Sequence, residues 1–174
     1  MTPEATIQQW VRRWVIRHTL CPFAARVDRE DEIGYEVCRA HTAEDAFAEV
    51  MQRTGRYLAD WATEKETLLL LFPAAFPEFP DFNDFVEDVN YGLEESGAGE
   101  LLQTASFHPG KYFAGTAPDD YGNGTDRSPL PVLQLLRRPD VAAAIASHPD
   151  TDRISDRNIA YLRARQLRPP FAHD

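Results

Sequence analysis

The chain is poor in sulfur and has no long apolar run. Only Cys21 and Cys38 are cysteines in 174 residues, too few for a disulfide framework. The most strongly apolar stretch, Leu68–Phe72, is far short of the roughly 20 residues a membrane-spanning helix needs. Positive charge is also scarce. The net charge of −10 argues against nucleic acid and anionic membranes as partners, since both are recognised by basic patches. Arg12, Arg13 and Arg17 interrupt the place where the apolar core of a secretory leader would lie, so no leader is read. A cytoplasmic, reduced protein is the expectation. The glycines at 110, 115, 122 and 124 match no dinucleotide or phosphate-loop fingerprint, and no zinc-type CxxC or HxxxH spacing is present.

What is present reads as a single α/β domain over residues 1–168 with a tail at 169–174. Thr2 and Pro3 suit the start of a first helix, expected to run to about Leu20. Its apolar stripe is Ile7, Trp10, Val11, Trp14 and Val15. Ile33–Arg39 alternates like a half-buried strand. Thr42 with Asp45 resembles a capping box opening a second long helix, with Phe47, Val50, Met51, Thr54, Leu58 and Trp61 as its stripe. Thr67–Phe72 fits a central strand covered on both faces. Asp81 is expected to cap a third helix carrying Phe82, Phe85, Val86, Val89 and Leu93. Leu101–Phe107 reads as a third strand that delivers His108 to its C-terminal end.

Pro129 is read as starting a short helix with Val132, Leu133, Leu135 and Leu136, and Arg137 and Arg138 in its last turn. A small helix at Val141–Ala146 and a last one opened by Ser155 follow. The order predicts α/β (or α+β) architecture: a small, largely parallel sheet of three or more strands, covered by helices, with a further strand near 111–117. Ligands in such sheets sit beyond the carboxyl ends of the strands. The stretch from Phe107 to Pro129 lies at that address. Its glycines and prolines exclude regular structure, and so long an excursion is expected to build a site.

Several blocks resemble a mainly bacterial family catalogued as domain of unknown function 1415. They are Leu20-Cys21-Pro22-Phe23-Ala24, Glu66-Thr67, Ala105-Ser106-Phe107-His108-Pro109, Phe113-Ala114-Gly115-Thr116, Asp119-Asp120, Arg127-Ser128-Pro129 and Arg157-Asn158-Ile159. The resemblance implies no established activity. The chain departs from the family pattern at Gln134 and Arg138, where the family has His and Glu. On a helix that pair would share one face. Asp126 stands where the family tends to have Asn, and Lys111 near a family Tyr.

His108 is the leading candidate for a proton-transfer or ligating role. The competing reading is an imidazole that holds the loop closed through hydrogen bonds. Cys21 can be read as a nucleophile, but a helix C-terminus raises a thiol pKa, and most free cysteines are buried apolar residues. Asp119 and Asp120 are read as orienting groups, or as turn residues. With Cys21 and His108 they are also the candidate metal ligands, and the metal and cofactor are left unknown. Arg127 is read as a clamp for an anionic group or as an ion pair with Asp119, Asp120 or Asp126. Lys111, Tyr112, Asn123 and Ser128 complete the candidate binding set. Tyr112, Phe113 and Tyr121 either line a pocket or anchor the loop. The leading expectation is an enzyme acting on a small polar or anionic metabolite. The alternatives are a non-catalytic ligand-binding or protein-interaction domain, and a metal-dependent enzyme.

Overall fold

Thr67–Leu71 forms strand β2, buried at every position, because helices cover both of its faces. Leu68, Leu70 and Phe72 join one apolar cluster, and Leu69 and Leu71 join the other. The computed structural model describes residues 1–148 and 150–171. Its elements are α1 (Pro3–Trp10), a π-type turn (Val11–Ile16), α2 (Ala24–Arg29), β1 (Ile33–Val37), α3 (Ala43–Ala59), β2, α4 (Phe79–Glu95), β3 (Leu102–Phe107), β4 (Val132–Arg137), α5 (Arg138–Ala146) and α6 (Ile154–Arg165). Short 3-10 turns occur at Ala98–Glu100, Tyr121–Thr125 and Thr151–Arg153. No helix among the described residues is long and apolar enough to cross a membrane.

The sheet order is β1-β2-β4-β3. The β1–β2 pair is parallel, while β4 pairs antiparallel with both β2 and β3. The sheet is therefore mixed, not largely parallel. The expected strand–helix–strand logic still holds for direction: β1, β2 and β3 all run the same way. What the sequence reading missed is the opposed strand slotted between β2 and β3. The segment read as a helix from Pro129 is that strand, and the extra strand expected near 111–117 is not formed. A buried central strand shows a continuous apolar run, which periodicity cannot separate from a buried helix. Pro131 stands just before the strand, where the missing N–H is tolerated, and its carbonyl accepts the Phe72 N–H at 3.0 Å.

Two further corrections follow from β4. Gln134 sits mid-strand, with its side-chain amide donating to Thr67 Oγ1 at 2.9 Å, and Arg138 is the first residue of α5. They do not share a helical face. Arg137 ends the strand, with its guanidinium 4.3 Å over the Trp61 ring and donating to the Trp61 and Glu64 carbonyls.

The first helix ends earlier than expected. The N–H of Leu20 bonds back to Val15 and that of Thr19 to Ile16, a Schellman closure with Thr19 at φ 52°. The same closure ends α2 at Asp31 and α6 at Gln166. Glycine usually takes that position, so neither α2 nor these stops were legible. Thr42 caps α3 as expected, accepting from the Asp45 N–H at 3.1 Å. The buried face of α3 is turned toward Ala46, Val50, Arg53, Thr54 and Tyr57. Glu78, not Asp81, is the N-cap residue of α4. Beyond α6, Pro169 is buried and Phe171 packs against the α1 cluster.

Candidate functional site

Because β1, β2 and β3 point the same way, their carboxyl ends and the amino end of β4 share one edge. His108 follows β3 directly and is 2% exposed. The Gly110 N–H donates to its Nδ1 at 2.9 Å. Nδ1 is therefore the unprotonated nitrogen, and Nε2 carries the hydrogen that it donates to the Phe76 carbonyl at 2.9 Å. The ring stacks on Phe82, with centroids 5.5 Å apart. Burial lowers its pKa, against smaller opposing contributions from the Phe76 carbonyl and Glu78. Both nitrogens are committed to backbone, which is the loop-holding arrangement.

The excursion after β3 is tied down from every side. Asn123, fully buried, accepts from the Phe113 N–H at 3.0 Å and from the Thr116 hydroxyl at 3.0 Å, and donates to the Ala117 carbonyl at 2.9 Å. Trp10 and Trp14 reach across from the first helix. Their indole N–H groups donate to the carbonyls of Arg127 and Gly124, each at 2.9 Å. Asp120 accepts two bonds of 2.9 Å from Arg163 on α6 and one of 2.7 Å from the Gly122 N–H. This pairing holds its carboxyl below the ordinary range. Gly122 is needed for the close approach of α6, since a Cβ there would lie 2.8 Å from Ile159 Cγ2.

The remaining candidates serve the same end. Arg127 donates through Nε to the Lys111 carbonyl at 2.9 Å and through Nη2 to the Pro118 carbonyl, so it pairs with none of the three expected aspartates. Burial lowers its pKa, and Arg168 adds to the effect. Lys111 takes Asp126 as its ion partner at 3.2 Å and donates to the Ser106 carbonyl at 2.9 Å. Ser128 is fully buried and donates to the Leu130 carbonyl at 2.6 Å. Tyr112 is 41% exposed with its ring edge against Phe79, and Tyr121 lies under the Arg168 guanidinium. Asp119 is exposed. Cys21 is an exposed free cysteine whose thiol pKa is raised by desolvation, against smaller effects of the Phe23 and Ala24 amides. Among the described residues, no three His, Cys, Asp or Glu side chains gather as metal ligands.

Beyond the strand ends lies an open concavity of about 360 Å3. The Phe72–Pro77 turn, His108-Pro109 and Pro129–Pro131 line it. Among the described residues its wall includes His108 but not Arg127, Lys111, Asp119, Asp120 or Cys21. The imidazole and the guanidinium therefore do not converge in it.

Sequence reasoning placed His108 directly after the third strand, where the structure has it. It missed Phe76, whose φ of 59° shapes the opposite wall, and the two indole anchors. The tryptophans carried a signal: a buried indole N–H needs an acceptor. Arg157 and Asn158 on α6 donate to the Thr19 and Leu20 carbonyls at 2.8 and 2.6 Å, which joins two of the resemblance blocks in space. No curated protein and no solved structure matches the chain. The model of a family described as "Protein of unknown function (DUF1415)" matches residues 2–168, and the chain belongs to that family.

Proposed function

We propose that the chain is a small-molecule-binding domain whose ligand sits in the proline-rich concavity at the carboxyl edge of the sheet, and that it binds without performing acid–base chemistry there. One observation carries this reading: among the described residues, the only titratable side chain in that wall, His108, has both ring nitrogens bonded to backbone. A general base needs a free lone pair within reach of its proton. The lining offers instead five proline rings and two phenylalanines, a surface that complements a compact, mainly apolar molecule. The volume falls in the lower part of the usual range for small-ligand sites, roughly 300–1,000 Å3. Two free cysteines support a reducing, cytoplasmic setting, and the acidic balance disfavours nucleic acid.

The experiment is a screen of neutral aromatic and aliphatic fragments by NMR, read at the amides of Phe76, Gly110 and Leu130. Saturable shifts at these three positions are expected. They should vanish in Ala74→Trp, which fills the concavity from its exposed rim. Hits that bind equally to the filled variant would refute the assignment. Enzyme turnover lost on His108→Gln with unchanged fold would restore the catalytic reading.

A further inference from the structure

A second cleft, of about 260 Å3, opens where the end of β1 meets α3 and shares no lining residue with the first. Its polar wall includes Glu36, Cys38, Arg39, Glu49, Arg53 and Arg56, with Gln52 at the exposed rim, and its apolar floor is Val37, Val50 and Leu70. The acceptors in this wall are largely consumed. Both oxygens of Glu36 receive Arg53, through Nε and Nη2 at 2.6 Å each. Oε2 of Glu49 receives the Cys38 thiol at 2.9 Å and the Arg39 N–H at 3.1 Å. Burial and Glu49 push that thiol up to about 12, so it stays protonated and donating.

Donors are left over. Arg53 is 7% exposed, and its Nη1 is buried without a hydrogen-bond partner. A buried guanidinium nitrogen without an acceptor carries a desolvation cost. Arg39 and Arg56 line the same cleft from exposed positions, and among the described residues neither guanidinium is in an ion pair or a side-chain hydrogen bond. In a chain of net charge −10, three arginines therefore meet at one cleft with donors to spare, above an apolar floor.

We propose that this cleft binds a small organic anion. Its carboxylate or phosphate group is held by Arg39, Arg56 and Arg53 Nη1, and its apolar portion rests on Val37, Val50 and Leu70. Planar guanidinium groups suit both head groups. The volume lies just under the roughly 300 Å3 at which small-ligand sites begin, so the occupant is small.

The test is an NMR titration of the full chain with inorganic phosphate, with butyrate, and with sodium chloride at matched ionic strength. Saturable shifts are expected at the Cys38 and Arg39 amides and at the Arg53 Nε–H for at least one of the two anions, and not for chloride. The tighter of the two identifies the head group. The double variant Arg39→Gln, Arg56→Gln changes exposed residues only. It should weaken binding by about tenfold or more, the loss expected for charge-assisted hydrogen bonds, with amides elsewhere unmoved. Shifts that track chloride, fail to saturate, or persist undiminished in the double variant would overturn the proposal.

Discussion

His108 holds Phe76 in a conformation that phenylalanine avoids. Among the described residues, four non-glycine residues have positive φ. Thr19, Asp31 and Gln166 are helix ends closed by Schellman bonds. Phe76, at φ 59°, has no such excuse. It is held by the His108 Nε2–H on its carbonyl at 2.9 Å and by its ring stacking on Phe85 at 4.5 Å. Left-handed backbone costs a non-glycine residue about 1–2 kcal/mol, and the surrounding contacts must exceed it. The turn so fixed is one wall of the apolar concavity.

Replacing His108 with Ala strands the Phe76 carbonyl and the Gly110 N–H and leaves a void beneath Phe82. The expected loss is about 3–5 kcal/mol, from the unsatisfied groups and the cavity together. Urea denaturation measures it. A loss within about 0.5 kcal/mol, typical of surface positions, would mean that His108 does not hold the turn.

Acidification should reveal the same residue. Burial lowers the folded-state pKa of His108 below the ordinary 6.5, so the unfolded chain takes up the proton first. The stabilisation is complete above pH 6.5 and is lost as the pH falls from there through the folded-state value. His18 is shifted the same way, mainly by burial. The wild-type melting temperature should therefore fall with acid more steeply than that of His108→Gln. Parallel profiles for the two proteins would contradict the assignment.

Asn123 is the internal staple of the excursion, and its truncation to Ala removes four hydrogen bonds, the one to the Pro118 carbonyl being the longest, at a fully buried position. A loss of about 3 kcal/mol is expected. Asp is not a conservative substitute. It cannot donate to the Ala117 carbonyl, and it buries a charge. Calorimetry should rank both variants well below wild type, and an Asp variant as stable as the parent would contradict this role.

The two indole anchors are separable from ring packing. Trp10→Phe and Trp14→Phe keep an aromatic ring and delete the N–H that each gives to the loop. Each should cost about 1–2 kcal/mol through the carbonyl left behind. Unfolding curves that match wild type in both variants would show that the loop does not depend on them.

Much of the fold was legible in the sequence. The capping pair Thr42–Asp45, the five-residue run of β2 and the arrival of His108 at the end of β3 follow from local patterns that the tertiary structure respects. The strand β4 was not legible, because Val132, Leu133 and Leu135 are buried on both of its faces and the segment so lacks the alternation that marks a half-exposed strand. The Schellman ends were hidden because Thr19, Asp31 and Gln166 stand where glycine is usual. The candidate site was legible as an address but not as a mechanism. Composition placed His, Lys, Arg and Asp together in one loop. Only the folded structure shows that Lys111, Asp120 and Arg127 spend their polar atoms on the loop and on the elements that hold it, β3 and α6. Arg53 was invisible for the same reason: the partners that bury it, Glu36 and Glu64, come from different elements.

The central claim is that the excursion from His108 to Pro129 is fixed in place, with only its two ends lining the concavity, and native-state hydrogen exchange of Gly110 and Phe113 tests it most directly. These two N–H groups donate to His108 Nδ1 and Asn123 Oδ1. The account predicts that both exchange slowly, with opening free energies near that of global unfolding, and that each becomes fast when its acceptor is replaced by Ala. Exchange of either amide at close to the unprotected rate in the wild-type protein would contradict it.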